Sequence, residues 1–391
     1  MTYQDSGSQA QSGAGDATKD INKKKMRVII SGGGTGGHIF PAISIANALK
    51  EAAPDTEILF VGAQGKMEME KVPAAGYKIV GLPVAGFHRQ LNLRNIGRNL
   101  LFPFRLIGSL VKAGSIISDF KPDVCVGVGG YASGPVLYRG VGKGVRCLIQ
   151  EQNSYPGVTN KILAKRAEKI CVAYPGMERF FPADKIVMTG NPVRQNLLAT
   201  VDKTAAAAEF GLDPNKKTIL VIGGSLGARS INNGILSALD KLEDGVQLLW
   251  QTGSFYYERI SQQLDGKPHS DVKAMAFIKH MDKAYALADV VVSRAGASSI
   301  SELALLGKAS ILVPSPNVSE DHQTKNACAL EEKGAAVMVA DADTATLIGE
   351  AQRILSDEKK RTDLGENIKR FARPNAAADI AKEVIRIAEE K

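Results

Sequence analysis

Cysteine is scarce in this chain, and the residues that are present have no disulfide or metal-binding spacing. The four cysteines are widely separated, and no Cys-x-x-Cys pair occurs; they are Cys125, Cys147, Cys171 and Cys328. Three of them stand in apolar stretches, where a thiol behaves as a small buried hydrophobe. The sequence therefore predicts four reduced, structural cysteines.

Long apolar runs are also lacking. No stretch of eighteen or more apolar residues occurs, which argues against a membrane-spanning helix. Residues 1–25 are rich in Gly, Ser, Gln and Asp, and they lack the apolar core of a signal peptide. We therefore expect a disordered polar leader and a protein that stays in the cytoplasm.

Acidic residues are absent from Val72 to Ser118, and the whole chain has a formal net charge of +8. Leucine, isoleucine and phenylalanine alternate in this stretch with basic residues, which are Lys78, Arg89, Arg94, Arg98, Arg105 and Lys112. Basic groups beside exposed apolar ones suit an anionic membrane surface better than a nucleic acid groove. An amphipathic helix packed on its own domain is an equally open interpretation.

The length of 391 residues and the hydrophobic content of 44% predict two domains with a cleft between them. Short β-branched runs alternate with longer helical patterns, which indicates βαβ units and parallel sheets. In the first half the predicted strands are 27–31, 57–61, 78–82, 124–128, 145–150, 169–172 and 185–189. In the second half they are 218–222, 246–251, 272–276, 290–293, 310–313 and 336–339.

A strand, a glycine-rich loop and a helix occur at Arg27–Lys50 and again at Thr218–Leu242, with the second helix predicted over Arg229–Leu242. This internal repeat predicts an α/β protein of two Rossmann-like domains that face each other across a cleft. The predicted divisions are a leader (1–25), an N-terminal domain (26–190), a C-terminal domain (191–372) and a final helix (373–391). That helix could pack back on either half.

The first glycine-rich loop lies in the sequence ISGGGTGGHIFPA, from Ile30 to Ala42. Its backbone amides and the following helix start could bind an anion, or the loop could be a bare turn. It lacks the Gly-Lys-Ser/Thr ending of a P-loop ATPase. The second strand ends at Gly62, where a dehydrogenase would have an acidic ribose ligand. His38 is either a general base with an ordinary pKa near 6.5 or a residue that fixes the loop.

Other candidate loops follow later strands. Gly223–Ala228 either repeats the anion-site pattern, with Ser225 supplying a hydroxyl, or is again a bare turn. Glu302 is three residues after Ser299, so it could form a capping box or accept two hydrogen bonds from a ribose diol. Gln323 could bind a sugar hydroxyl or belong to a solvated first turn. Asn153 follows a strand, where loops at the carboxyl ends of parallel strands face a cleft.

Seven motifs in this order resemble the MurG family of N-acetylglucosaminyltransferases of peptidoglycan synthesis: GGTGGHIFPA, GVGGYASGPV, EQNSYPG, GNPVR, GGSLGA, SRAGASSISE and DHQTKNA. The resemblance spans roughly residues 26–391. It implies the GT-B glycosyltransferase fold, UDP-N-acetylglucosamine (UDP-GlcNAc) as donor and lipid I as acceptor, with lipid II and UDP as products. It further implies an inverting reaction without metal or cofactor, no nucleic acid partner, and a peripheral enzyme on the cytoplasmic face of the membrane beside cell-wall and division proteins.

The resemblance also places the family's substrate contacts on particular residues of this chain. They are Thr35, Gly36, Gly37, Asn153, Arg194, Ser225, Ile278, Ala297, Ser298, Ser299, Ile300, Ser301, Glu302 and Gln323. By the same resemblance Ile278 meets the uracil and Glu302 the ribose. The acceptor pyrophosphate is expected at the glycine loops of the N-terminal half, and His38 is expected to be the catalytic base beside the acceptor hydroxyl.

Overall fold

A computed structural model describes residues 25–84, 102–224, 226–265, 271–318 and 321–390. The predicted leader, apart from Lys25, lies outside the described residues, and so does Ser225. Part of the acid-free stretch also lies outside them, including Arg89, Arg94 and Arg98.

The N-terminal lobe is built on a parallel sheet of seven strands. They are β1 (Arg27–Ser31), β2 (Glu57–Ala63), β3 (Lys78–Leu82), β4 (Val124–Gly127), β5 (Arg146–Glu151), β6 (Lys169–Val172) and β7 (Ile186–Met188). Their order across the sheet is β3-β2-β1-β4-β5-β6-β7. The central strands are continuous β-branched runs because helices cover both faces of the sheet.

The helices of this lobe that lie within the described residues divide between the two faces. They are α1 (Gly36–Ala52), α2 (Glu68–Ala74), α3 (Phe102–Phe120), α4 (Ser133–Gly142) and α5 (Val158–Leu163). Buried side chains of α1 and α2 pack on one face, and those of α3, α4 and α5 pack on the other. Right-handed crossovers explain this division, since the chain moves in opposite directions from β1 along the sheet.

The C-terminal lobe repeats the plan with six parallel strands in the order β10-β9-β8-β11-β12-β13. The strands are β8 (Lys217–Ile222), β9 (Val246–Gln251), β10 (Val272–Met275), β11 (Val290–Arg294), β12 (Ser310–Val313) and β13 (Val337–Met338). Its helices are α6 (Lys203–Phe210), α7 (Arg229–Ala238), α8 (Ser254–Leu264), α9 (Met281–Leu287), α10 (Ala297–Leu306), α11 (His322–Glu331), α12 (Leu347–Ser356) and α13 (Glu358–Lys369).

Every strand predicted from the sequence is confirmed, with ends that differ by at most two residues. The helix predicted over 229–242 is shorter than expected. Its α-helical part ends at Ala238, and a 3-10 turn follows over Leu239–Lys241. In the described ranges, no helix has the length and apolar character needed to cross a membrane.

The last helix, α14 (Ala376–Glu389), leaves the C-terminal lobe and packs against α1. Its buried face joins the core beneath α1, with Ile380 and Val384 both fully buried. The guanidinium of Arg146 on β5 donates to the Ile387 carbonyl at 2.8 Å. The C-terminal end of the chain therefore closes one face of the N-terminal sheet.

Strand order reverses once in each sheet, between β1 and β4 and between β8 and β11. In an open parallel sheet, the loops after two such strands diverge and leave a crevice that can bind a ligand. The first glycine loop follows β1, and Gly129-Gly130 follows β4. In the other lobe, Gly223-Gly224 follows β8 and Ala295-Gly296 follows β11. Glycine-containing loops thus border the crevice of each lobe.

Candidate functional site

A cavity of about 990 Å³ lies between the two lobes. Loops at the carboxyl ends of both sheets line it. The predicted site residues on its wall are Thr35, Gly36, Gly37, His38, Asn153, Arg194, Ile278, Ala297, Ser298, Ser299, Glu302 and Gln323. The structure therefore brings together residues that are separated by up to 288 positions in the sequence.

Two predicted residues of helix α10 lie behind this wall. The Ile300 side chain is buried in the core of the C-terminal lobe. The Ser301 hydroxyl donates to the Ala297 carbonyl at 2.9 Å and accepts a hydrogen bond from the Asn191 amide at 3.2 Å. Asn191 belongs to the connector between the lobes, so Ser301 binds the connector and not the cavity.

The two glycine loops of the N-terminal lobe touch backbone to backbone. A Cβ at Gly130 would lie 2.3 Å from the Gly33 carbonyl oxygen, and a contact this short is sterically forbidden. Gly130 also has φ of +83°, a value that L side chains rarely adopt. The loop after β4 can therefore rest on the loop after β1 only with glycine at this position.

His38 stands at the start of α1, on the cavity wall. Its Nδ1 is buried without a hydrogen-bond partner among the described residues, and the imidazole lies against Gly129, where a Cβ would be 2.7 Å from Nδ1. Burial lowers the pKa of His38 below its ordinary value. Four groups act in the opposite direction: the charge of Glu151, the side chain of Gln152, the carbonyl of Val128 and the charge of Glu68. Burial is the largest effect, so the structure favours the neutral imidazole.

The loop that contains Asn153 is organised by the buried carboxylate of Glu151. This carboxylate accepts hydrogen bonds from the backbone N–H of Asn153 at 3.0 Å and of Gly157 at 3.1 Å. It also accepts one from the Asn160 side chain at 2.8 Å. Glu151 thus fixes the turn that presents Asn153 to the cavity.

Glu302 and Arg194 form an ion pair at the cavity wall. Arg194 donates through Nε at 3.0 Å and Nη2 at 2.8 Å to one carboxylate oxygen, and through Nη2 at 3.1 Å to the other. The Tyr285 hydroxyl donates to the second oxygen at 3.0 Å. These contacts use most of the acceptor capacity of the carboxylate, so a ribose diol can bind it only if Arg194 shifts.

The capping-box interpretation of Ser299 and Glu302 is wrong. Helix α10 begins at Ala297, its N-cap is Gly296, and no side chain caps it. Both residues therefore lie within the helix, and Glu302 points to Arg194 and Tyr285 instead of a backbone N–H. The prediction failed because the capping-box spacing was assigned one turn too late in the helix.

Ile278 and Gln323 both belong to the part of the cavity wall that the C-terminal lobe supplies. The Ile278 side chain is fully buried, and its backbone N–H donates to Gln251 Oε1 at 2.9 Å. Gln323 Oε1 accepts from the Ser315 N–H at 2.9 Å. The Ile278 N–H and Gln323 Oε1 are therefore already hydrogen-bonded. The groups that remain to bind a ligand are the Ile278 carbonyl and the amide hydrogens of Gln323.

Several cationic and aromatic wall residues were missed by sequence reasoning. Arg229 is exposed at the first position of α7, where a cation and a helix start act together on an anion. Arg294 ends β11, where it forms an ion pair with Asp341 and donates to Ser230 Oγ at 2.8 Å. The position of Arg294 directly before Ala295-Gly296, at the end of a strand, could have indicated a cleft residue from the sequence. Its partners Asp341 and Ser230, however, come from distant parts of the chain.

Phe40 connects the lobes, because the Arg194 guanidinium lies 4.9 Å from the centre of its ring. Two hydrogen bonds also cross the cleft. Ser298 Oγ donates to the Gly37 carbonyl at 3.2 Å, and Ser154 Oγ donates to Asn326 Oδ1 at 3.0 Å. Within the described ranges, no group of three His, Cys, Asp or Glu side chains is placed to hold a metal ion. Backbone amides, the starts of α7 and α10, and the arginines Arg194, Arg229 and Arg294 line the cleft.

Comparison with known proteins agrees with this geometry. The model of the glycosyltransferase family 28 N-terminal domain matches residues 28–172, and that of the C-terminal domain matches residues 218–384. The UDP-N-acetylglucosamine--N-acetylmuramyl-(pentapeptide) pyrophosphoryl-undecaprenol N-acetylglucosamine transferase of Parabacteroides distasonis is 58% identical, over 94% of this chain and 100% of that protein. The protein of the same name from Bacteroides thetaiotaomicron is 55% identical, over 94% and 99%.

A solved structure supports the same assignment. The crystal structure of Acinetobacter baumannii MurG superposes with a TM-score of 0.71 at 27% identity, and the match covers 93% of this chain and 99% of that one. The prediction of a GT-B fold with two Rossmann-like domains is confirmed. Because both domain models and near-full-length relatives agree, the chain belongs to glycosyltransferase family 28, in its MurG branch.

Proposed function

We propose that this protein transfers N-acetylglucosamine from UDP-GlcNAc to the C4 hydroxyl of the N-acetylmuramyl group of lipid I, giving lipid II and UDP. The observation that carries this proposal is the interlobe cavity, whose wall combines loops of both switch points with two helix starts, α7 and α10. Such a site can hold a sugar diphosphate from one lobe and a second anionic substrate from the other. Relatives of the same printed function cover nearly the whole chain.

The reaction is a single displacement with inversion. The acceptor oxygen attacks the anomeric carbon of the donor, and the bond from that carbon to the UDP diphosphate breaks. His38 takes the proton of the attacking hydroxyl, and UDP leaves with the electron pair of the broken bond. The lowered pKa of His38 suits this role, because a base must be neutral before it accepts a proton.

We assign the base to Nε2 of His38. Its Nδ1 is buried against Gly129, and the imidazole interacts with the Val128 carbonyl. Because Nδ1 is enclosed in this way, Nε2 is the ring nitrogen that a substrate hydroxyl can approach. Gln152 Nε2 donates to the same carbonyl at 3.0 Å, which helps to fix its position.

We assign the donor to the wall of the C-terminal lobe. Ile278 would receive the uracil through its carbonyl, and Glu302 would receive the ribose. The diphosphate would lie near the starts of α7 and α10, where backbone N–H groups and Arg229 stabilise negative charge that grows as UDP leaves. Arg194 would move from Glu302 to the diphosphate when the ribose takes its place on the carboxylate.

We further propose that α3 rests on an anionic membrane surface. Phe104, Ile107 and Val111 share one face of this helix and are 73%, 59% and 66% exposed. Arg139 and Lys143 of the neighbouring segment line a groove beside Ile107 and Val111. Apolar side chains that enter the lipid, beside cations that meet headgroups, are typical of a peripheral membrane helix.

The alternative role of α3, as a helix packed on its own domain, applies to its opposite face. Ala113 and Ile117 are buried in the core of the N-terminal lobe. Both roles can coexist, since the two faces are distinct. Flotation with vesicles that contain anionic lipid, compared with neutral vesicles, tests the membrane role; equal recovery with both contradicts it.

The decisive assay supplies radiolabelled UDP-GlcNAc with lipid I, with diacylglycerol, or with no acceptor. We expect label in lipid II only. Transfer to diacylglycerol would indicate a glycolipid synthase, and epimerisation of the sugar without acceptor would indicate an epimerase. Binding of UDP without any turnover would contradict the enzymatic proposal.

A further inference from the structure

A fully buried carboxylate lies beneath the first glycine loop. Glu68 is the first residue of α2 and has 0% exposure. Its Oε2 accepts a hydrogen bond from the Gly34 N–H at 3.0 Å, and its Oε1 accepts one from the Ala63 N–H at 2.9 Å. Within the described part of the chain, no Lys, Arg or His side chain forms an ion pair with it. Burying a carboxylate is costly, so these backbone donors are its compensation.

Two glycines make room for this carboxylate. A Cβ at Gly33 would lie 2.2 Å from Glu68 Oε1, and a Cβ at Gly62 would lie 2.5 Å from Glu68 Cγ. Gly62 ends the part of β2 where a dehydrogenase would have its acidic ribose ligand, and its small size here admits Glu68 from α2. Gly33 of the loop and Gly62 of β2 thus leave space for Glu68, whereas Gly36 and Gly37 face the cavity.

The contacts continue from Glu68 to the base. Gly33 supports Gly130 of the second glycine loop, and the adjacent Gly129 lies against the His38 imidazole. Two carboxylates act on this imidazole from different elements, Glu151 at the end of β5 and Glu68 on α2, and both raise the pKa of His38. Glu68 is therefore linked to His38 both through packed backbone and through its charge.

We propose that Glu68 is a positioning residue for the acceptor half of the site. It joins the Gly34 N–H of the first glycine loop to the Ala63 N–H at the end of β2, so that the other loop amides and His38 face the acceptor diphosphate and hydroxyl. Glu68 itself is buried and does not touch substrate. This inference rests on the proposed function, because it assigns the loop to the acceptor and the nucleotide to the other lobe.

The test compares Glu68→Gln with Glu70→Gln. Glutamine has one acceptor oxygen, so its NH₂ group must face one of the two N–H donors that Glu68 binds. Glu70 is on the same helix, but its side chain is 77% exposed and contacts Lys71. We expect kcat/KM for lipid I to fall about tenfold or more in Glu68→Gln and to stay unchanged in Glu70→Gln.

Two readouts separate positioning from general support of the fold. The UDP dissociation constant of Glu68→Gln, measured by calorimetry, should stay within about twofold of wild type, since the nucleotide binds the other lobe. The acid limb of its kcat/KM profile should move to lower pH, because a negative charge near His38 is lost. The inference is overturned by an unchanged kcat/KM, or by a parallel loss of UDP affinity.

A second variant covers the case in which Glu68→Gln does not fold. Gly130→Ala places a methyl group against Gly33 and disturbs the same loop from its other side. Loss of lipid I turnover with UDP affinity retained supports the inference, and retained turnover opposes it. Wild-type conversion of lipid I is measured first. If wild type does not convert lipid I, the proposed function is overturned. If wild type is active but the variants do not lose lipid I turnover while keeping UDP affinity, only this inference is overturned.

Discussion

Replacing Glu302 with alanine tests whether its carboxylate binds the ribose or only anchors Arg194. Glu302 is 8% exposed and receives hydrogen bonds from Arg194 and Tyr285. Its removal leaves the buried Tyr285 hydroxyl without its acceptor, which costs about 1–3 kcal/mol. Arg194 has 23% side-chain exposure and can turn to the cavity, so it adds little to this loss. We expect the variant to fold, with its free energy of unfolding lowered by about 1–3 kcal/mol.

The expected loss of nucleotide-binding free energy is similar in size to this stability loss. A hydrogen bond to a charged acceptor contributes about 1.5–3 kcal/mol. A ribose diol could form two such bonds with Glu302, but it must first displace Arg194, so we assume a net gain equal to one bond. This value corresponds to a UDP dissociation constant that is raised roughly 10- to 150-fold. Isothermal titration calorimetry with UDP measures it directly, without lipid I or membranes.

Two matched variants complete the experiment. Glu350→Ala removes a carboxylate that pairs with an arginine, Arg353, outside the cavity wall, so UDP affinity should not change. Tyr285→Phe removes only the hydroxyl that orients Glu302 and should weaken UDP less than Glu302→Ala does. If Glu302→Ala binds UDP within twofold of wild type, the carboxylate does not contact the ribose, and its role is to hold Arg194.

Three further changes test other parts of the molecule. His38→Ala should lower turnover at least about 100-fold with UDP affinity retained; in the wild type, the acid limb of kcat/KM should lie below the ordinary imidazole pKa of about 6.5, because burial lowers the pKa of His38. A limb above that value would contradict the effect of burial. Replacing Ile107 and Val111 together with Glu should reduce flotation with anionic vesicles at least about tenfold, whereas Phe255→Glu, on the other lobe, should not. Ile380→Ala should cost about 2–5 kcal/mol, seen as a lower melting temperature, because it leaves a cavity between α14 and the N-terminal sheet; an unchanged melting temperature would mean that α14 adds little stability.

The strands and glycine loops could be predicted because their causes are local. A β-branched run such as the one in β1 or β8 predicts a buried strand by its composition, and a glycine cluster after it predicts a turn toward a helix. The loops at the carboxyl ends of parallel strands lie at one edge of the sheet, so these loops are predicted to line a cleft. The capping-box interpretation of Glu302 failed for the opposite reason, since the helix start depended on where β11 ended.

Contacts between residues that are distant in the sequence could not be predicted. No local pattern distinguishes Glu68 from the nearby Glu70, and only the fold shows that Gly33 and Gly62 leave space for Glu68. The Arg194–Glu302 pair joins residues 108 positions apart. No local pattern specifies such a contact, because side-chain burial and partner choice follow from packing.

The sequence by itself determined the element order, the two parallel sheets and the chemistry that each loop can offer. Tertiary structure decided which of those groups share a cavity, which amides are used internally by Glu68 and Glu151, and that Glu302 is bound to Arg194. It also decided that α14 returns to the N-terminal lobe. The physical reason is the distance along the chain over which each effect acts. Backbone preferences and hydrophobic periodicity depend on a few neighbouring residues, whereas desolvation and hydrogen-bond pairing depend on every element that packs nearby.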